Sequence, residues 1–276
     1  MRPETRSGDA LPEDSPLPCA RAAPIRLADA VRAGRRPPAL AVTGRPGSGR
    51  STLARAIRQV LSVDAGVTAV AAPDLWCHTL SGPPRAADRQ IIAGLPGDRT
   101  VVVLTKADVF ARAGTDSGAQ VAARCADDLG RPVIAVSGLW AGAAPTRAQV
   151  GLLAALAAAG ERVPEMAGRF VVPTGIGGGD EESLRTQLLR VMGASGIGLV
   201  LRELGAGRID ADPGRVAGLL RAASGIGAVR DAIDARMGSI ERARTVELAA
   251  AAERIAARGT ERADAERLLA RLGSIR

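Results

Sequence analysis

The feature that most constrains the fold is the run ALAVTGRPGSGRST at 39–52, where an apolar, β-prone stretch enters a loop carrying three glycines in six residues. A helical pattern follows over 51–61. A strand that leaves through such a loop into a helix belongs to a layered α/β arrangement rather than to a hairpin. The alternation continues. VTAVAA (67–72) is the next apolar run, and AADRQIIAG (86–94) reads as a helix closed by Gly94. VVVLT (101–105) is strongly strand-like, with three β-branched residues in succession. A helix near 120–129 ends at Gly130, PVIAV (132–136) reads as a strand, and 147–159 is helical. Continuous apolar strands alternating with helices predict a mostly parallel sheet, of four strands here, with helices on both faces.

Ahead of this region, residues 1–23 are rich in Pro, Arg and acids and read as a disordered lead. A short helix at about 25–33 stops at Arg35-Arg36-Pro37-Pro38. Beyond about 165 the pattern changes. VVPTGIGGGD reads as a flexible connector, and the rest is helical. Asp180 is placed as an N-cap; Leu184, Leu188, Val191 and Met192 share one apolar face; Gly193 closes the helix. A weak internal echo, LLRVMGASGIG (188–198) against LLRAASGIG (219–227), suggests two similar helix–turn–helix corners, each with Ser as the next N-cap. Two final helices, 240–258 and 261–272, are joined by Gly259-Thr260. The expected organisation is a lead (1–23), an α/β domain (24–165), a connector (166–180) and an all-α C-terminal domain of four to six helices (181–276).

The glycine loop carries the first chemical signal. Its spacing is that of the phosphate loop G-x-x-x-x-G-K-[ST], with Arg50 at the lysine position. Glycines let successive backbone N–H groups turn toward phosphate oxygens, and the following helix N-terminus adds its dipole. The expected phosphate-binding residues are Gly44, Arg45, Pro46, Gly47, Ser48, Gly49, Arg50, Ser51 and Thr52, with the Ser51 hydroxyl at the magnesium position. Arginine keeps the charge, but it is longer, planar and forked.

The second signal is TKAD (105–108), directly after VVVLT. It resembles the guanine-reading [NT]-K-x-D of translation-factor-related P-loop GTPases. The chain holds 36 arginines and one lysine, Lys106, and that lysine occupies the motif's lysine position. PVIAV then runs into Ser137-Gly138, where those GTPases carry S-A-K. The three pieces stand in order, each at a strand end, the C-terminal edge where ligands of open α/β sheets bind. Over about 35–160 the chain is similar to Era-like and dynamin-like bacterial GTPases. The resemblance implies a P-loop NTPase fold, GTP or GDP as ligand with Mg2+, and Thr105, Lys106, Asp108, Ser137 and Gly138 at the guanine. The aspartate would accept from guanine N1–H and the exocyclic amine.

The chain also departs from that pattern. For the family's D-x-x-G, one register aligns Ala71 to Asp74 and loses both functional residues. The other takes Asp74 as the magnesium acid and puts Cys77 in the glycine's place. Only 54 positions separate Ser51 from Thr105, so the segment bearing the switch threonine is missing, with Thr68 and Thr79 as candidates for its role. Phosphoryl transfer depends almost wholly on positioning and electrostatics. The expectation is therefore a guanine-nucleotide-binding protein with weak, partner-dependent or absent hydrolysis. Two other readings stay open: an inactive relative that assembles with another GTPase or with itself through its helices, and an ATP-using P-loop kinase.

Composition narrows the remaining classes. The formal charge is +8, and two Trp, two Phe and no Tyr leave no aromatic–basic interleaving to stack bases, which argues against nucleic acid. The late helices lack aromatic anchors and a lysine-rich face, so nothing supports a membrane surface. Cys19, Cys77 and Cys125 are odd in number and scattered, fitting a reducing, cytoplasmic setting. His78 is the sole histidine, and Cys77-His78 reads as an ordinary loop pair rather than half a metal site.

Overall fold

The structure is a computed structural model and describes residues 26–67, 72–110, 117–176, 178–259 and 261–273. The expected lead, Cys19, Thr68 and most of the apolar run at 67–72 lie outside the described residues.

The elements are α1 (Leu27–Arg35), β1 (Ala39–Gly44), α2 (Arg50–Leu61), β2 (Asp64–Gly66), β3 (Leu75–Leu80), α3 (Ala86–Ala93), β4 (Thr100–Thr105), α4 (Ala107–Phe110), α5 (Gly118–Leu129), β5 (Val133–Val136), α6 (Gly138–Ala141), α7 (Arg147–Ala158), α8 (Glu181–Gly205), α9 (Pro213–Ala223), α10 (Ile226–Asp234), α11 (Met237–Arg258) and α12 (Arg262–Gly273). The five strands form one sheet, every pair parallel, in the order β2-β1-β3-β4-β5. One strand differs from expectation. The described sheet includes LWCHTL (75–80), which the sequence pattern did not mark as a strand, and the polar pair His78-Thr79 is buried in it.

Successive residues of β4 alternate between two cores. Val101 and Val103 join Leu53 and Ile57 of α2 and Ile226, Val229 and Ile233 of α10. Val102 and Leu104 join Ile92 of α3 and Val121, Ala122 and Cys125 of α5. The sheet is thus covered on both faces, as continuous apolar strands require.

The described chain falls into two compact units, one within residues 35–246 and the other made by residues 26–34 with the described residues from 247 to 273. In the smaller one, Leu27 N donates to Glu261 Oε2 at 2.8 Å, and Leu27, Ala252, Ile255, Ala265 and Leu268 form its core. The boundary expected at 166–180 falls inside the larger unit, because α10 lays its apolar face on the sheet. Helices α7, α8 and α9 enclose a further core around Leu153, Phe170, Leu188, Ile197 and Val216.

The stretch expected to be a loose connector is anchored through residues 170–175. Arg185, fully buried, places Nε 2.7 Å from Glu181 Oε1 and donates to Phe170 O (3.1 Å) and Thr174 Oγ1 (2.7 Å). Glu181 in turn accepts from Thr174 N and Gly175 N, each at 3.0 Å. Asp180 stands at the N-cap of α8, but its side chain makes no capping bond. Gly193 interrupts α8 with φ 67° and ψ 169°, after which the helix resumes to Gly205. Among the described residues no helix is long and apolar enough to cross a membrane.

Candidate functional site

The glycine loop leaves the C-terminal end of β1 and enters α2 at Gly49, whose φ is 82°. A turn bond from Ser48 N to Arg45 O (3.1 Å) closes it. Ser48 is buried, and its backbone and side chain are both used. Its hydroxyl donates to Thr79 Oγ1 at 2.6 Å, while the single proton of Thr79 goes to Thr43 O at 2.9 Å. The Ser48 carbonyl accepts from Thr105 Oγ1 at 2.6 Å. Two strands, β3 and β4, therefore hold the loop at Ser48, and the Thr79 bond ties β3 to the end of β1. No side chain caps α2, which leaves its first-turn N–H groups and positive dipole end open beside the loop. Ser51, in that turn, is exposed.

Under the loop lies a polar chain that sequence reading missed. Arg45 Nε is 3.2 Å from Asp88 Oδ2, His78 Nε2 is 3.2 Å from Asp88 Oδ1, and His78 Nδ1 is 3.1 Å from Thr43 Oγ1. A carboxylate only accepts, so Nε2 carries the histidine proton and Nδ1 accepts from Thr43. Burial lowers the pKa of His78, reinforced by the Arg45 charge and opposed by Asp88. Burial alone would raise Asp88; the Arg85 N–H, His78 and Arg45 outweigh it and hold the carboxyl below its usual range. The local signal was faint: a histidine and a threonine inside an apolar strand, and an acid in the first turn of α3. Cys77-His78 is therefore no loop pair. Cys77 lies in the core with its thiol pushed up to about 12 by burial, and His78 faces Asp88.

Asp74 does not stand where a magnesium acid should. It precedes β3, at the N-terminal edge of the sheet, opposite the edge that bears the loop. Its oxygens are committed to Ala39 N (2.8 Å), Arg244 Nε (2.8 Å) and Arg36 Nη1 (3.0 Å). Burial would raise its pKa, but the Arg244 bond, the Ala39 N–H and the two arginine charges hold it low. Both D-x-x-G registers end on this residue or start from it, so neither brings an acid to Ser51. Thr79, one candidate for the switch threonine, has its hydroxyl occupied inside the loop clamp.

The TKAD motif (105–108) has a different fate. Thr105 ends β4, and Lys106 turns the chain with φ 57°, a left-handed conformation uncommon for a residue with a side chain. Asp108 then lies in α4. Gly49, Thr52, Leu53, Thr105, Lys106, Asp108, Gly138 and Leu139 line one cavity of about 220 Å³. The volume is small for a whole ligand. Among the described residues the carboxylate of Asp108, the ammonium of Lys106 and the guanidinium of Arg50 have no protein partner. Ser137 is brought close but is spent: its N–H donates to Ser224 O at 2.9 Å, and its hydroxyl caps Trp140 N at 3.3 Å. Gly138, not Ser137, lines the cavity. A larger cleft of about 960 Å³ is bounded by Val109, Trp140, Val163, Ser195, Gly198 and Arg202, and shares no lining residue with the smaller cavity.

No model of a known protein family matches the chain, and no curated protein matches it.

Proposed function

We propose that the chain binds a guanine nucleotide, with its base in the 220 Å³ cavity and its phosphates at the glycine loop, and that it hydrolyses GTP weakly, only with a partner, or not at all. The observation that carries this reading is that Asp108, whose carboxylate has no partner among the described residues, lines the same cavity as Thr105, Lys106, Gly138 and the start of α2. Guanine offers two donors, N1–H and the exocyclic amine, on one edge, which matches a single carboxylate; adenine offers only one donor there. This favours guanine over the ATP-using alternative.

For the base, the residues fit. For magnesium they fit poorly, since Ser51 keeps its expected place while Asp74 is held by two arginines at the far edge of the sheet. Arg50 supplies charge without the compact geometry of lysine. Loss of the acid and displacement of the charge act on the same positioning that phosphoryl transfer needs. When bound, the nucleotide would supply the phosphate charge; the chain's part is to seat it through the loop N–H groups, Arg50 and the base contacts.

The test is binding of GDP, GTP, ADP and xanthosine diphosphate to wild type and Asp108→Asn. Wild type is expected to prefer guanine, and Asp108→Asn to shift preference toward xanthine. No guanine preference, or no response to Asp108→Asn, refutes the base assignment. Multiple-turnover phosphate release reads the second half. Rates of a self-sufficient GTPase in wild type, or no gain with Arg50→Lys, contradict the impaired phosphate side.

A further inference from the structure

The internal echo in the helical segment ends, in both copies, on the loops that line the base cavity. The shared sequence is ASGIG, at 194–198 and 223–227. In the first copy, Ser195 Oγ donates to Asp108 O at 2.7 Å. That carbonyl belongs to α4, a four-residue helix. In the second copy, Ser224 O accepts from Ser137 N at 2.9 Å. Ser224 is the C-cap of α9, so its carbonyl lies beyond the helix's own hydrogen-bond ladder. The expected capping role holds only in part: Ser224 Oγ accepts from Ile226 N (3.2 Å), while Gly225 stands at the N-cap of α10.

The glycine after each serine admits the close approach. A Cβ on Gly196 would sit 2.8 Å from Trp140 Nε1, and one on Gly225 would sit 2.1 Å from Ala135 O. The break at Gly193 adds a third tie. It interrupts the α8 ladder and frees carbonyls, and Trp140 Nε1 donates to Met192 O at 2.9 Å. Trp140 lies next to Leu139, which lines the cavity. Each corner thus uses one serine to bond a loop at the cavity and one glycine to admit a close approach, by the Trp140 side chain in the first and the Ala135 backbone in the second.

We infer that the two ASGIG corners position the base-reading loops, with Ser195 setting Asp108 and Ser224 setting Ser137-Gly138, so that guanine selectivity depends on helices outside the sheet. Ser195 and Ser224 are positioning residues; neither lines the base cavity. The inference rests on the cavity being a guanine site.

The experiment uses the full chain, with a fluorescent GDP as probe and GDP and ADP as competitors, alongside thermal unfolding. Ser195→Ala is expected to weaken GDP about three- to tenfold, the effect of one lost hydrogen bond. It should also narrow the GDP-over-ADP ratio, while Ser195→Thr restores both. Thr245→Ala, which removes an exposed hydroxyl bonded to Glu241 O, is expected to change neither. A general loss of structure would lower both affinities alike and leave the ratio alone. That result, or an unchanged Ser195→Ala, overturns the inference while leaving the guanine site standing. Wild type without GDP preference overturns both. Hydrogen exchange in wild type reads the link without substitution: GDP should protect residues 105–110 and 193–197 together, and protection of the first segment alone refutes it.

Discussion

Ser48 Oγ and Thr79 Oγ1 lie 2.6 Å apart, both buried, and join the glycine loop to the strand beside it. Thr79 passes its own proton to Thr43 O, so the clamp closes on the residue just before the loop. Thr79→Val keeps the shape and removes both bonds, taking away the acceptor of the buried Ser48 hydroxyl. Stability should drop by about 1–3 kcal/mol in urea denaturation, and GDP binding should weaken with it. Full stability in Thr79→Val would remove the clamp from the account of the loop.

His78 gives a pH signature with a definite sign. Its pKa is lowered in the fold, by burial first, so the unfolded chain takes up the proton at higher pH than the folded one. Stability is complete above about 6.5 and falls as pH drops from there toward the folded value. Asp88 is also lowered; its contribution is lost later, as pH falls below 3.8 toward its folded value. Because the chain has one histidine, the slope between pH 7 and 5 isolates His78. The midpoint of thermal unfolding should fall across that interval in wild type and stay nearly flat in His78→Gln; equal slopes in both contradict the assignment.

Asp74→Asn separates structure from metal binding. The carboxylate bridges Arg36 and Arg244 at the sheet edge away from the loop, and both arginines keep contact with water. The substitution should cost about 1–3 kcal/mol of stability. It should leave the magnesium dependence of nucleotide binding as it is in wild type. A shift in that dependence on magnesium titration would return Asp74 to the phosphate side.

The Glu181–Arg185 pair makes a stronger demand, since both side chains are buried. Arg185→Met leaves the Glu181 carboxylate in the interior without its neighbouring cation and should cost about 3–5 kcal/mol. Adding Glu181→Gln should recover part of that loss, a coupling that denaturation of the single and double variants measures directly. Limited proteolysis should become faster within 170–176 in Arg185→Met.

Much of this was legible locally. ALAVT, VVVLT and PVIAV fall in β1, β4 and β5, and Gly94, Gly130 and Gly193 each mark a helix end or break. The motif residues Gly49, Thr52, Thr105, Lys106, Asp108 and Gly138 meet around one cavity as their strand-end positions required. β3 was missed because His78 and Thr79 break its apolar pattern, and their polarity is satisfied only by Thr43, Ser48 and Asp88, the last ten residues on and the others over thirty residues back. Asp74 was misplaced because a short D-x-x-G pattern cannot say which edge of the sheet it will occupy.

The sequence by itself determined the alternation of strands and helices, the glycine loop and the turn at Lys106, because each depends on backbone preferences of consecutive residues. The tertiary structure alone decided that α8 to α10 join the sheet's own unit, that Ser137 is spent on Ser224, and that the ASGIG echo lands on Asp108 and Ser137. Those outcomes depend on which buried polar groups find partners across long separations. Burial without a partner costs too much to be left to chance, yet local pattern names no partner.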